Sequence, residues 1–311
     1  MPAPPAQELD ALRARLGPVG VWMALLGRRS ADEERNAAAT IEELGYTALW
    51  YGEAAANKET FAHAGILLSA TQRLTVATGI ASIYVRDPVA MHTGGNALAD
   101  AYPERFVLGL GVSHAPSVRA RGHDYGKPVT AMREYLDAMD ATPYGPPPPA
   151  VPLPRVLAAL RTRMLELSRD RTHGAHPYLT TPRHTARARK VLGAGPVLAP
   201  EQGFVLETDP VRAREVGREH LSYYLKLPNY ARSWREEGFT HDDLADGGSD
   251  RLVDALVAWG DEAAIAARVR EHLDAGADHV CIQPVRSDVA RALDELRALA
   301  PAVLGAGPPY G

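Results

Sequence analysis

The sequence predicts an α/β protein whose single domain, residues 1–311, is a (β/α)8 TIM barrel. Short apolar runs alternate with helical patterns, and eight such runs occur along the chain. This alternation is typical of parallel strands joined by helical crossovers. Eight units favour a closed barrel over an open doubly wound sheet, and 311 residues are within the usual range for one large barrel.

The first half of the chain contains four predicted strands separated by helices. Ser30 and Glu33 have the spacing of a capping box, which predicts the start of the first helix, and Gly45 suits its C-terminal end. Asp87 followed by Pro88 predicts another helix start, because proline at the first helical position loses no hydrogen bond. The four strands are predicted at residues 20–26, 47–53, 74–80 and 106–112.

The second half of the chain repeats this organisation. Asp209 precedes a proline and again predicts a helix start. Ile265, Val269 and Leu273 share one face of a helix before the last strand, and Ser287 is predicted to cap the helix after it. The four strands are predicted at residues 154–160, 175–181, 203–209 and 278–285.

Three segments fall outside the repeat. Residues 1–17 form an N-terminal extension. Residues 143–154 are rich in proline and are predicted to be an extended loop after strand four. Residues 223–260 are predicted to be a helical insertion after strand seven. Both insertions suit a lid or a contact between subunits.

Composition and charge exclude several classes of function. The net charge of −4 provides no basic field for nucleic acid, and the basic runs at 169–171 and 183–190 lack interleaved aromatic residues. No run of 18 apolar residues predicts a membrane span, and the first residues do not read as a signal peptide. Cys281 has no second cysteine to pair with. We therefore expect a cytoplasmic protein that binds neither nucleic acid nor membrane.

The stretch VLGLGVSHAP, residues 107–116, raises the question of a dinucleotide-binding loop. Gly109 and Gly111 match the first half of that fingerprint, but Ala115 and Pro116 stand near the place of its third glycine. Three predicted strands also precede it, whereas the fingerprint belongs to the first strand and turn of its fold. The stretch is therefore predicted to be the rim of a barrel, where active sites gather.

Several blocks of the sequence resemble the luciferase-like monooxygenase superfamily. They are GVW near the start, ELGYTALWYGE, VATGI followed by YVRDPVAMH, ERFVLGLGVSH and AGADHVCIQ. The resemblance covers roughly residues 18–300 and is most similar to the branch that uses coenzyme F420, an 8-hydroxy-5-deazaflavin. It implies a luciferase-like TIM barrel and a homodimer that acts on a small molecule.

The resemblance also implies cofactor-binding residues. The Gly79–Ile80 peptide bond matches a non-prolyl cis bond that forms a bulge behind the central flavin ring. The end of strand four matches the region that contacts the ring and the ribityl–phosphate chain, and the turn after strand five matches the region facing the tail. The residues implied are Gly79, Ile80, Gly111, Val112, Ser113, Ala158, Ala159 and Leu160.

Two side chains are candidates for catalysis. His114 stands beside the implied ring position, where a histidine can hold or transfer a proton. Glu53 stands where many deazaflavin members have a histidine, and it suits either a general acid or base or an ion pair with an arginine. Trp22, Tyr51, Tyr84 and Tyr178 stand at strand ends as an aromatic wall or as packing residues.

The sequence departs from the family pattern in two places. Arg161 and Thr162 replace a glycine–proline pair, and residues 172–174, Thr-His-Gly, replace Ala-Asp-Gly. His173 and His176 are three apart, but zinc needs more ligands, so no metal is predicted. The predicted function is F420-dependent hydride transfer to or from a small organic substrate. The alternatives are an FMN-dependent luciferase-like monooxygenase and a non-catalytic flavin-binding relative.

Overall fold

The computed structural model describes residues 3–285 and 288–305. The strands within these ranges are β1 (Val19–Trp22), β2 (Ala48–Tyr51), β3 (Thr75–Thr78), β4 (Ala81–Ser82), β5 (Phe106–Gly111), β6 (Arg155–Leu157), β7 (Gly174–Ala175), β8 (Val197–Leu198), β9 (Glu201–Leu206), β10 (Val257–Gly260) and β11 (Val280–Pro284). The helices are α1 (Ala6–Leu16), α2 (Ala31–Glu43), α3 (Thr60–Ser69), α4 (Pro88–Ala101), α5 (Ala115–Ala120), α6 (Pro128–Ala141), α7 (Thr162–Arg171), α8 (Pro182–Leu192), α9 (Pro210–Leu221), α10 (Pro228–Glu236), α11 (His241–Leu244), α12 (Asp250–Leu256), α13 (Glu262–Asp274) and α14 (Val289–Leu304), with 3₁₀ turns η1 (Leu26–Arg28) and η2 (Tyr224–Lys226).

The strands form a parallel barrel, which confirms the predicted fold class. Their order is β10–β9–β11–β1–β2–β3–β5–β6–β7–β8, with β4 also paired to β5. Only Ala199 and Pro200 separate β8 from β9, so these two strands are the halves of one bent strand. On one side Ala199 N–H donates to Ala175 O at 2.9 Å, and on the other Cys281 N–H donates to Pro200 O at 2.9 Å. This segment closes the barrel.

The predicted helix starts are present. Ser30 and Glu33 form the capping box at the start of α2. Asp87 accepts from Ala90 N–H at 2.9 Å, and Asp209 caps α9 in the same way. Ser287, predicted to cap the last helix, lies outside the described residues, and Asp288 is the N-cap of α14.

Several strand boundaries differ from the prediction. The seventh strand, predicted at 203–209, begins earlier at β8, because Ala199 and Pro200 keep hydrogen bonds to the neighbouring strands between β8 and β9. The sixth is only Gly174–Ala175, after which the chain turns into the site. The insertion at 223–260 is not entirely helical, since its last four residues form β10. This strand pairs in parallel with β9, where Val257 lies opposite Gly203, because β9 offers a free edge there.

The N-terminal extension closes one end of the barrel. Within it, Leu12 and Leu16 of α1 are fully buried and pack with interior residues of the strands, including Trp50 and Val107. Arg13 holds the helix in place through Asp278, with Nε and Oδ1 3.0 Å apart. The opposite end, where the strands have their C-termini, therefore remains as the open end.

Strand β5 approaches its neighbours unusually closely because it contains two glycines. A Cβ on Gly109 would lie 1.9 Å from the Thr78 carbonyl oxygen. The Thr78 hydroxyl donates to Gly109 O at 2.7 Å and accepts from Gly109 N–H at 2.8 Å. A Cβ on Gly111 would lie 2.3 Å from Cγ1 of Ile80. The glycines thus make room for β3 and for the residues that follow it.

Candidate active site

A cavity of about 1220 Å³ lies at the C-terminal ends of the strands. It is lined by nine of the ten residues that the sequence predicts for the site: Glu53, Gly79, Ile80, Val112, Ser113, His114, Ala158, Ala159 and Leu160. The tenth, Gly111, is buried and does not line the cavity, because the Ile80 side chain occupies the space in front of it. In the structure Gly111 makes room for the Ile80 side chain, and its contact with a cofactor stays a prediction.

The floor of the cavity is built around Gly79. The Gly79–Ile80 peptide bond is cis, which confirms the prediction for this bond. A Cβ on Gly79 would lie 2.5 Å from Trp22 Nε1 and 2.9 Å from His176 Nε2. Neither of these buried nitrogens has a hydrogen-bond partner in the described part of the chain. Two unsatisfied polar atoms therefore lie beside the floor, which is typical of a site that binds a polar ligand.

His176 is a residue that the sequence did not single out for this floor. Its Nδ1 donates to Ala199 O at 2.7 Å, so the hydrogen of the neutral ring is on Nδ1. Burial lowers the pKa of His176 to about 4, so the ring is neutral at pH 7. Its Nε2 is therefore a hydrogen-bond acceptor beside Gly79.

Glu53 is held by an ion pair. Arg86 Nη2 donates to Glu53 Oε1, and Ser82 N–H donates to Oε2 at 2.8 Å. The Glu53 side chain is 4% exposed and the Arg86 side chain 9%. Both carboxylate oxygens thus have partners, which supports the ion-pair interpretation of Glu53 over a role in proton transfer.

His114 presents an unsatisfied nitrogen at the rim. Its ring packs against Tyr230, with centroids 5.7 Å apart, and against Tyr223 at 6.3 Å. No residue within 3–285 and 288–305 hydrogen-bonds its buried Nδ1. Burial lowers the pKa of His114, so the ring is neutral at pH 7. The neighbouring Ser113 has a φ of 55°, and its carbonyl accepts from the Tyr125 hydroxyl at 3.2 Å.

An aromatic wall is present, but its members differ from those predicted. Trp22 and Tyr178 line the cavity, and their ring centroids are 5.3 Å apart. Tyr51 is buried and donates to Thr60 O at 2.6 Å, while Tyr84 donates to Tyr125 O at 2.6 Å. Neither of these two lines the cavity. Their places are taken by three tyrosines of the insertion: Tyr223, Tyr224 and Tyr230.

The cavity also has a cationic rim, defined as Arg121, Lys127, Arg161 and Arg163. All four side chains are exposed, and none forms an ion pair with a residue that the structure describes. Arg161 is the N-cap of α7, so backbone N–H groups of the first helical turn lie nearby. This combination suits an anionic group such as phosphate.

The described residues lack two other kinds of site. Among them, no three His, Cys, Asp or Glu side chains come together in a way that would hold a metal ion. None of the helices that the structure describes has the length and apolar character needed to span a membrane.

The sequence of this chain matches one family of known proteins. Residues 16–195 match the family model described as luciferase-like monooxygenase. An uncharacterised protein of Mycobacterium tuberculosis is 24% identical over 310 residues, covering 81% of this chain and 88% of that protein.

Solved structures share the fold. An F420-dependent secondary alcohol dehydrogenase in complex with an F420–acetone adduct has a TM-score of 0.74 at 15% identity, covering 92% of this chain and 99% of its own. The F420-dependent tetrahydromethanopterin reductase of Methanopyrus kandleri also has a TM-score of 0.74, at 16% identity, with the same coverage. The oxygenating constituent of 3,6-diketocamphane monooxygenase of Pseudomonas putida, in complex with FMN, has 0.71 at 14% identity, covering 92% of this chain and 98% of its own.

Proposed function

Because this chain belongs to the luciferase-like monooxygenase family, we propose that it is a coenzyme F420-dependent oxidoreductase that transfers a hydride to or from a small organic substrate. The observation that carries the proposal is the cavity at the strand ends. It brings nine predicted residues together around Gly79 and ends in a cationic rim.

The residues of the cavity fit a flavin-like cofactor. Trp22 and His176 line the cavity, and beside Gly79 each has a buried ring nitrogen, one donor and one acceptor, without a partner among the described residues. Gly79, Ile80 and Val112 offer backbone and apolar contacts, and Ala158–Leu160 are small or apolar residues on the way to the rim. Arg161 and Arg163 are free to bind the phosphate of the cofactor tail. About 1220 Å³ is enough for a ring and a small substrate together.

A bound deazaflavin supplies the carbon that carries the hydride, and the chain supplies position and proton transfer. His114 lines the cavity and is neutral, so it can hold or transfer a proton next to the ring. Arg86 and the Ser82 N–H hold Glu53 in one orientation, so Glu53 shapes the cavity wall. The tyrosines of the insertion line the cavity, and their rings exclude water from the part of it that they contact.

The same proposal includes an assembly and a location. We propose a homodimer in the cytoplasm, on the strength of the family resemblance and of a chain with one buried, unpaired cysteine. Light scattering coupled to gel filtration measures the assembly directly, and a mass of one chain contradicts the dimer.

The experiment that tests the function is a cofactor titration. Purified protein is titrated with F420 and with FMN while the fluorescence of its four tryptophans is followed. We expect saturation by F420 at micromolar concentrations, and weak binding of FMN. A preference for FMN supports the monooxygenase alternative, and binding without turnover supports the non-catalytic alternative. Binding of neither cofactor contradicts the whole proposal.

His114 is tested with two variants. We expect His114→Ala to retain F420 binding while the rate of reduced F420 oxidation by a ketone falls about 100-fold, the usual effect of losing a proton-transfer group. His241→Ala, an exposed histidine outside the cavity, is the matched control and should behave as the wild type. Normal turnover by His114→Ala removes His114 from the mechanism.

A further inference from the structure

A chain of hydroxyl groups enters the cavity from the side of the insertion. Tyr224 OH donates to Tyr178 OH at 3.2 Å, and Tyr178 OH donates to Gln283 Oε1 at 2.9 Å. Both tyrosines line the cavity. Tyr178 is the central member, since it both accepts and donates a hydrogen bond within this chain.

Tyr178 lies next to the floor at Gly79. Its ring packs against Trp22, with centroids 5.3 Å apart, and Trp22 Nε1 lies beside Gly79. Packing and two hydrogen bonds hold the phenol in one position, as a catalytic group requires. The Tyr178 hydroxyl is therefore fixed near the place where we propose that the reactive ring binds.

The barrel interior beneath Tyr178 is polar but uncharged. Gln283 on β11 lies opposite Gly203 on β9. Glu201 precedes Gly203 by two residues on β9, so these two residues are on the same face of the sheet. Glu201 is fully buried; its Oε2 accepts from Leu179 N–H at 2.9 Å, and its Oε1 has no hydrogen-bond partner among the described residues. No cation among the described residues pairs with Glu201, and burial raises its pKa to about 8. The group beneath Tyr178 is therefore a neutral acid at pH 7.

The wall around Tyr178 suits an uncharged substrate oxygen. Trp22, Tyr178, Tyr224 and Tyr230 present ring faces and hydroxyls, which bind an apolar body and a carbonyl or alcohol group. The cationic rim belongs to a different part of the cavity lining, on α7 and the segment 121–127. None of the four aromatic side chains of this wall carries a positive charge, so the wall itself offers no cation to a substrate carboxylate.

We propose that Tyr178 is a catalytic residue of the hydride transfer, and that Tyr224 is its positioning residue. The Tyr178 hydroxyl binds the substrate oxygen and donates its proton when a ketone is reduced. This inference rests on the proposed function and adds to it a second proton-transfer group.

In reduction, the carbonyl carbon receives a hydride from the reduced deazaflavin, and the π electron pair of the C=O bond moves to the oxygen. The Tyr178 hydrogen, which is donated to Gln283 Oε1 before the substrate binds, first rotates about the C–O bond to the substrate oxygen. The Tyr178 O–H bond then breaks as the new alcohol O–H bond forms. The Tyr224 hydroxyl stabilises the phenolate through its hydrogen bond, and solvent returns the proton afterwards. Burial keeps the pKa of Tyr178 well above 10, so the phenol retains its proton until the oxyanion develops.

The test compares three variants with acetone and cyclohexanone as probes. Tyr178→Phe removes the central hydroxyl and Tyr224→Phe the positioning one. Tyr102→Phe, at the C-cap of α4 and outside the cavity, is the matched control. We expect the single-turnover rate of reduced F420 oxidation to fall about 100-fold or more in Tyr178→Phe and about tenfold in Tyr224→Phe. The Kd for F420 should change less than about threefold.

A second measurement does not depend on turnover. The infrared band of carbonyl-¹³C-labelled cyclohexanone, bound in the presence of oxidised F420, should lie at lower wavenumber in the wild type than in Tyr178→Phe, because a hydrogen bond weakens the C=O bond. Equal bands and equal rates in the two proteins overturn the role of Tyr178. Wild-type protein that binds F420 but neither binds nor reduces either ketone also overturns it, and leaves the cofactor proposal intact. Failure to bind F420 contradicts the proposed function itself.

Discussion

At the scale of single residues, position 109 accepts only glycine, because the backbone of β3 leaves no space for a side chain there. The backbone of β5 passes so close to Thr78 that a Cβ on Gly109 would lie 1.9 Å from a carbonyl oxygen. That oxygen belongs to the backbone of β3, just before the cis bond at Gly79, and cannot rotate away as a side chain would. The position of Gly109 therefore determines how closely the cavity floor approaches β5.

We expect Gly109→Ala to lower the free energy of unfolding by about 1–3 kcal/mol or more, the usual range for an extra group in a packed core. Urea unfolding measures this difference. The matched control is Gly145→Ala in the proline-rich loop, where an added Cβ meets nothing within 4 Å. The control should change the free energy by less than about 0.5 kcal/mol. Equal stability of the two variants contradicts this account of β5.

Glu53 shows what single-residue reasoning leaves open. The sequence alone admits an acid–base role and an ion pair equally well. The structure brings Arg86, which is 33 residues further along the chain, against both Glu53 oxygens. The loop after β4 places this arginine, and no local sequence pattern around Glu53 indicates it.

At the scale of elements, helix α1 closes one end of the barrel. Its Leu12 and Leu16 fill the end of the barrel away from the cavity and are fully buried. The sequence predicted only an extension here; Leu9, Leu12 and Leu16 have helical spacing, but the strand residues that Leu12 and Leu16 pack against are distant in the chain.

We expect Leu12→Ala to lower the free energy of unfolding by about 2–5 kcal/mol, since it leaves a cavity in the barrel. The control is Val211→Ala on α9, which removes an apolar side chain that is 74% exposed. It should change the free energy of unfolding by less than about 0.5 kcal/mol. Both are measured by urea unfolding. Because α1 closes the end opposite the cavity, F420 affinity should be unchanged in both variants below their unfolding transitions. A large loss of F420 affinity in folded Leu12→Ala would contradict this separation.

At the scale of the whole molecule, the distribution of charge over the surface affects the binding of anionic ligands more than the net charge does. The chain has a net charge of −4, yet the cavity has a rim of four cations without ion-pair partners in the described part of the protein. Local fields of this kind attract anionic ligands even to a protein of the same overall sign.

We expect the double variant Arg161→Ala/Arg163→Ala to weaken F420 binding about 2- to 30-fold, because two exposed charge interactions of about 0.2–1 kcal/mol each are lost. The salt dependence of binding should fall as well. Arg169→Ala/Arg297→Ala, which removes two arginines paired elsewhere on the surface, is the control. Fluorescence titration at two salt concentrations measures both effects. Unchanged affinity and salt dependence would show that the rim does not contact the cofactor.

The sequence by itself determined the barrel, the helix starts at Ser30 and Asp87, and nine of the residues that line the cavity. These depend on the alternation of apolar runs, on capping chemistry and on motifs short enough to read along the chain. Only the tertiary structure decided three other features: the bent strand β8–β9, the ion pair of Glu53 with Arg86, and the hydroxyl chain from Tyr224 through Tyr178 to Gln283. Each of these features depends on contacts between residues that are distant in sequence and come together only when the barrel closes. Patterns of neighbouring residues in the sequence do not indicate such contacts.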